Sequence, residues 1–362
     1  MCLPSEQPSY TGACASATRG YARFVLLFLG FRSLFHLSQF CTNNKYNRLY
    51  CQQTLLKLMR DYMTEKKQIE SVGDGVLVRA PAKINLSLLV SDRRSDGFHE
   101  IETLMAKVNW YDEVLVEPGQ SPGIEVIAKG PQWAPQAREN LVFRACEMLL
   151  EHCDKKANLK ITLTKNIPAG SGLGSASSDA AATLIAVNRL LELSIEQANL
   201  TEIAAALGSD VAFFLGGPLA FCTGKGEKIK KIDEKFNFLA LLLLPDVSVS
   251  TKEVYANFKP NQALYEKLRG RINRHIPKNR FDLVSKMCAN MLEISCFSLC
   301  KELAELKSEV ESQALGPLCL SGSGSAMFCM FDYTDEETSQ RSSFELEEKF
   351  GCKSIIVRNN NW

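Results

Sequence analysis

Apolar residues recur at every second position through Ile84, Leu86, Leu88 and Val90, with Lys83, Asn85 and Ser87 between them. A period of two predicts strand, so VLVRA and KINLSLLV read as a strand pair or one bent strand divided at Pro81. Lys83 and Asn85 then share a strand face. SDRRSDGFHE follows as a polar loop with a turn signal at Asp96-Gly97, and IETLMAKVNWYDEVLVEPG reads as further strands ending at Pro118-Gly119. The period changes over Asn140–Cys153, where Leu141, Ala145, Met148 and Leu149 fall on one side of a helix. LKITLTKNIP is again an alternating strand and runs directly into a glycine-rich loop. Ala180, Leu184, Val187 and Leu191 predict a second helix from Ser177 to Leu193.

Beyond these elements, Leu239–Leu244, stopped by Pro245, reads as a buried strand. Asn261–Arg280 reads as a polar connector, and Met287–Glu311 carries a helical pattern. GPLCLSGSGSAMFCMF reads as a strand, a tight glycine turn and a further strand or helix start. The pattern divides the chain into a leader at 1–72, an N-terminal domain at 73–243 and a C-terminal domain at 244–362.

The leader differs in charge from the rest. Up to Tyr62 it carries seven Lys/Arg against Glu6 and Asp61, whereas the remainder of the chain is net acidic. The apolar run Phe24–Phe31, fenced by Arg23 and Arg32, is far shorter than the ~20 residues of a membrane-spanning helix. Two readings stand: an organellar transit peptide, or an untranslated segment with the true start at Met63. They imply the plastid stroma and the cytoplasm respectively.

At 362 residues, 46% of them hydrophobic, the chain has material for about two domains. A net charge of +1 gives no electrostatic footprint for nucleic acid, and a small-molecule partner fits better. The thirteen cysteines contain no CxxC pair, and the histidines at 36, 99, 152 and 275 form no HExxH, which argues against a zinc centre and for free thiols.

IPAGSGLGSASSDAA carries the most chemistry. Gly170, Gly172 and Gly174 permit backbone conformations closed to other residues, and small Ser175, Ala176, Ser177 and Ser178 lead into a helix whose amides face an anion. A phosphate cradle and a tightly packed strand-to-helix turn both fit this pattern. Ser177 or Ser178 offers a hydroxyl to phosphate or Mg²⁺, or simply caps the helix. Lys83 and Asn85 suit an anion site or a solvated face, and Asp210 in GSDVAFF suits a catalytic base or an N-cap. LSGSGSAMF adds a second tight turn at Gly322 and Gly324.

In this order, PAKINL, IPAGSGLGSASSDAA, GSDVAFF and LSGSGSAMF resemble the galactokinase, homoserine kinase, mevalonate kinase and phosphomevalonate kinase superfamily, from about Val76 to Phe331. RSDGFHEIET is similar to the branch of that superfamily acting on a cytidine-diphosphate-linked methylerythritol in non-mevalonate isoprenoid biosynthesis. The resemblance implies an α+β, two-domain fold with ATP and substrate in the cleft between domains. It implies ATP contacts at Pro168, Ala169, Gly170, Ser171, Gly172, Leu173, Gly174, Ser175, Ala176, Ser177 and Ser178, with Mg²⁺ accompanying the nucleotide. Asp210 matches the base, Lys83 its charged partner and Asn85 a neighbour at the acceptor. Phe98 and His99 match a cytosine-contacting pair, with Phe98 where tyrosine is usual, and Thr251 matches a substrate-side position. Ser171, Ser175, Ala176, Ser325 and Ala326 depart from the usual loops by small changes in volume. The alternatives are another kinase of the superfamily, of the homoserine or mevalonate class, the related diphosphate decarboxylase, and a non-catalytic nucleotide-binding paralogue.

Overall fold

Alternation along the first long segment becomes a single bent strand, because neither face of it meets water. The computed structural model describes residues 67–232, 237–275, 288–313 and 316–362, all within one unit, Lys67–Trp362. The leader reading for 1–66 lies outside the described residues. Ile69–Val72, at the end of the span read as leader, forms β1 and pairs antiparallel with β2, Gly75–Arg93. Register shifts at Pro81/Ala82 and Asn85/Ser87 bend β2 against β3, His99–Pro118. Its first half packs with one apolar core and its second half with another, so Lys83, Asn85 and Ser87 are buried along with their apolar neighbours.

The N-terminal lobe continues with β4 (Ile124–Lys129), α1 (Leu141–His152), β5 (Leu159–Thr164), α2 (Ser175–Leu190), α3 (Gln197–Leu207), the short α4 (Val211–Leu215), β6 (Leu219–Gly224) and β7 (Lys228–Lys231). Asn140 caps α1 by accepting from the Val142 amide at 3.0 Å. β1, β2, β3, β5 and β4 lie side by side in that order, with β6 on β3 and β7 on β6. The helices cover one face through Val142, Ala145, Leu149, Ala180, Leu184 and Val187.

In the second lobe, β8 (Leu239–Leu244) is buried throughout and pairs with β11 (Met327–Phe331) and β12 (Lys353–Arg358), while β10 (Leu318–Leu320) pairs with β11, giving the order β10-β11-β8-β12. Helices α5 (Thr251–Ala256), α6 (Gln262–His275), α7 (Glu293–Leu299), α8 (Lys301–Glu311) and α9 (Glu336–Phe350) complete it, and β9 (Ala289–Asn290) pairs parallel with β2. Much of the expected connector at Asn261–Arg280 is therefore helix. Its spacing of Tyr265, Leu268 and Ile272 turns one stripe to the core while the rest stays polar. The helical pattern of Met287–Glu311 is broken at Cys300, whose extended backbone separates α7 from α8.

One cation sits unexpectedly inside the N-terminal lobe. Lys107, opposite Lys83 in the β2–β3 register, is 0% exposed, and its Nζ donates to the carbonyls of Phe214 (3.0 Å) and Gly216 (2.7 Å). Burial pushes its ammonium down to about 7. An unfolded lysine titrates at about 10.4, so above pH 7 the unfolded chain retains a proton that the folded chain has lost, and stability from this site rises with pH. Thermal melts should show the difference in Tm between wild type and Lys107→Met moving in favour of the wild type from about pH 7 to about pH 9.5. A pH-independent difference would contradict this.

Candidate active site

The glycine loop is anchored from behind by a buried charge cluster. Lys165, at the exit of β5, sends its Nζ between Asp112 (2.5 Å) and Asp179 (2.7 Å), and it also contacts Ser175 Oγ. Ser175 Oγ donates to Asp112 at 2.9 Å, while the other Asp112 oxygen accepts from the amides of Asn166 and Ile167. All three charged side chains are at most 3% exposed. Burial alone would lower the Lys165 ammonium, yet the adjacent Asp179 and Asp112 charges outweigh it and hold it above its usual value. Burial, with the Asp112 charge beside it, raises the Asp179 carboxyl well above the usual carboxylate range. β3, β5 and the first turn of α2 are thus fastened at one point.

From that anchor the loop crosses to α2 in left-handed steps. Gly174, at φ 71°, is the N-cap of α2, so neither Ser177 nor Ser178 caps this helix. Both lie in its first turn, and Ser178 Oγ, like Asp179 Oδ1, is buried without a hydrogen-bond partner. Gly172, at φ 80°, lies so close to the second loop that a Cβ there would stand 2.0 Å from the Ser321 carbonyl oxygen. The two loops are stitched together: Ser321 Oγ donates to the Gly172 carbonyl (3.0 Å), and the Ala326 amide donates to the Ser171 carbonyl (3.0 Å). Asn290 Nδ2 braces the second loop through the carbonyls of Leu320 and Gly322.

Lys83 lies at this junction. Its amide donates to the Leu173 carbonyl, its Nζ donates to Asn85 Oδ1 (2.5 Å), and Asp210 Oδ2 stands 3.6 Å from that Nζ. Asn85 passes its own amide to Thr103 Oγ1 at 2.8 Å, which fixes which end faces the lysine. Asp210 occupies the N-cap position of α4, but its side chain makes no capping bond, and 32% of it is exposed. A carboxylate at a helix start without a capping role is available for chemistry. Thr251, the first residue of α5, joins the second loop through a 2.7 Å hydroxyl contact with Ser323.

Phe98 and His99 sit apart from this junction, at the tip of the β2–β3 hairpin. Phe98 is 55% exposed, with Lys225 Nζ 5.0 Å from its ring centre. His99 Nδ1 lies 2.8 Å from the Ser91 carbonyl, which only accepts, so that nitrogen carries the proton and Nε2 of a neutral ring is an acceptor. The His99 ring meets Phe258 edge-on at 5.4 Å and lies 6.0 Å from Tyr255. Burial, with the Asp210 charge adding to it, raises the Tyr255 phenol.

Sequence reasoning missed Lys165, Asp112, Asp179 and Tyr255. A lysine two residues before IPAGSG, and the aspartate in SSDAA at the start of the following helix, were the available signals for the cluster. Tyr255 becomes apparent only once α5 carries it, one turn after Thr251, against the hairpin.

Two sheets with their covering helices and two adjoining glycine loops form the fold of the GHMP kinases. Residues 140–218 match the GHMP kinases N terminal domain and residues 272–346 the GHMP kinases C terminal. A 4-diphosphocytidyl-2-C-methyl-D-erythritol kinase from Syntrophomonas wolfei is 34% identical over 286 residues, which cover 78% of this chain and 99% of that protein. One from Geobacillus sp. strain WCH70 is 35% identical, covering 70% and 87%. A crystal structure of 4-(cytidine 5'-diphospho)-2C-methyl-D-erythritol kinase matches with a TM-score of 0.65 at 31% identity, over 79% of this chain and 100% of that one. A homoserine kinase from Cytophaga hutchinsonii, at 22% identity and a TM-score of 0.64, shares the fold. The chain belongs to the 4-diphosphocytidyl-2-C-methyl-D-erythritol kinase family.

Removing the Lys165 charge leaves two carboxylates buried without a counterion. Lys165→Met should cost about 3–5 kcal/mol of stability, measured by urea denaturation, and weaken ATP binding through the loosened loop. A loss below about 1 kcal/mol would show that the cluster is not an anchor.

Proposed function

We propose that the chain transfers the γ-phosphoryl group of ATP to the 2-hydroxyl of 4-diphosphocytidyl-2-C-methyl-D-erythritol, giving the 2-phosphate and ADP in non-mevalonate isoprenoid biosynthesis. The observation that carries this reading is the Lys83–Asp210 pair, 3.6 Å apart beside the glycine loop, with Asp210 free of capping. Phosphoryl transfer has a loose transition state, so alignment and charge stabilisation do most of the catalysis. Asp210 orients the hydroxyl and takes its proton as the new P–O bond forms. Lys83, steered by Asn85, holds that carboxylate and offsets charge on the transferred group. Loop amides from Gly170 to Ser175 and the start of α2 face the phosphates.

Mg²⁺ bound with ATP neutralises phosphate charge. Ser178 Oγ and Asp179 Oδ1, buried and unpartnered at the start of α2, are the loop-side groups that fit it. A cavity of about 600 Å³, lined by Val126, Trp133 and Phe143 among others, lies on the β4–α1 side of Lys165 and suits the nucleoside end of ATP. The cytosine end of the acceptor fits the hairpin tip. There Phe98 offers a ring face, Tyr255 lies near His99, and His99 Nε2 can accept from an exocyclic amino group. Thr251, held by Ser323, stands on the acceptor side.

No helix among the described residues is long and apolar enough to cross a membrane. We place the activity in the cytoplasm, or in the plastid stroma if residues 1–62 are a transit peptide. N-terminal sequencing of the native protein separates the two.

Incubated with Mg-ATP, the protein should release ADP with the cytidylyl substrate and not with mevalonate or homoserine. Equal or absent turnover across all three would overturn the assignment. Asp210→Asn should lower kcat by about 10²–10⁴ and leave ATP affinity nearly intact; loss of both would give Asp210 a structural role instead.

A further inference from the structure

Lys83 and Lys107 are register partners on β2 and β3, so their side chains leave the same face of the sheet. They reach opposite ends of α4. Lys83 meets Asp210 at the N-cap, and Lys107 donates to the carbonyls of Phe214 and Gly216 at the other end. The Lys107 amide extends the hold by donating to the Pro218 carbonyl at 2.8 Å.

A helix of five residues has almost no internal hydrogen bonding, and the last four carbonyls of any helix lack partners within it. Gln197 Nε2 takes the Leu215 carbonyl near the surface. The two carbonyls beside it accept from Lys107. No carboxylate of the described residues pairs with this buried amine, so its desolvation cost is met at one place, the end of the helix that presents Asp210. The same helix also supports the nucleotide loop, since a Cβ on Gly174 would stand 2.8 Å from the Phe214 ring and 2.9 Å from Lys83 Cγ.

We propose that Lys107 is a positioning residue for phosphoryl transfer, which grips the C-terminal carbonyls of α4 and so sets Asp210 relative to Lys83 and the glycine loop. It touches neither substrate nor nucleotide. The proposal rests on Asp210 acting at the acceptor hydroxyl, and it matters because a displacement of about 1 Å at such a group costs about 10²-fold in rate.

Lys107→Met, Lys107→Gln and Asp210→Asn test it together by steady-state kinetics and thermal melts. Lys107→Met should lower kcat about 10–100-fold while KM for ATP stays within about twofold and the melt remains cooperative. Lys107→Gln keeps a donor and should recover part of kcat. A folded Lys107→Met with wild-type kcat would sink the proposal, as would equal losses in both variants accompanied by a raised KM for ATP. If Lys107→Met does not fold, Lys107→Gln decides: lowered kcat at unchanged KM supports the role, and unchanged kcat overturns it. An active Asp210→Asn would remove the reading of the base and the proposal with it. An inactive Asp210→Asn beside a fully active Lys107→Met removes only the proposal.

Discussion

A single ammonium group, that of Lys165, held between Asp112 and Asp179, determines where the chain goes next. A charge sealed from water must find its partners, and here those partners belong to β3 and α2. The peptide from Asn166 to Gly174 has to cross between fixed ends. Asp112 narrows the path further by accepting the first two amides after the lysine. What remains for the loop is a short left-handed crossing that only glycine makes comfortably, and that crossing brings it against the second loop at Gly172 and Ser321.

On the proposed reading, recognition and chemistry fall at separate places in the site. At one end the hairpin tip offers Phe98, with His99 close to Tyr255 and Phe258. At the other lie the glycine loops, and between them stand Lys83, Asn85 and Asp210. α5 spans the distance: Thr251 at its start touches the second loop, and Tyr255 one turn later reaches the hairpin. Movement of that helix would therefore change both ends together.

The parts legible in the sequence were those whose chemistry is contiguous. PAKINL, the glycine loop, GSDVAFF and LSGSGSAMF each announce a local backbone need, and the structure brings all four to one junction. Lys165 with Asp112, and Lys107 with the end of α4, are pairings across 53 and 107 positions or more, so even where a residue beside a motif draws notice, local pattern does not say what it pairs with. Capping by Ser177 or Ser178 failed because a glycine in the left-handed region can begin a helix without a side-chain acceptor. The connector at Asn261–Arg280 failed for another reason: its helix is polar on most of its surface, so composition hid the narrow stripe of Tyr265 and Ile272.

β2 runs from the core of one lobe into the core of the other, bending at Pro81. Neither lobe owns it. A strand shared in this way leaves no severable hinge between two independently folding halves: pulling it from one core strips the other of Ile84, Leu86 and Leu88 as well. The two lobes should therefore melt as one cooperative unit, and either half expressed without the other would lack a wall of its own interior.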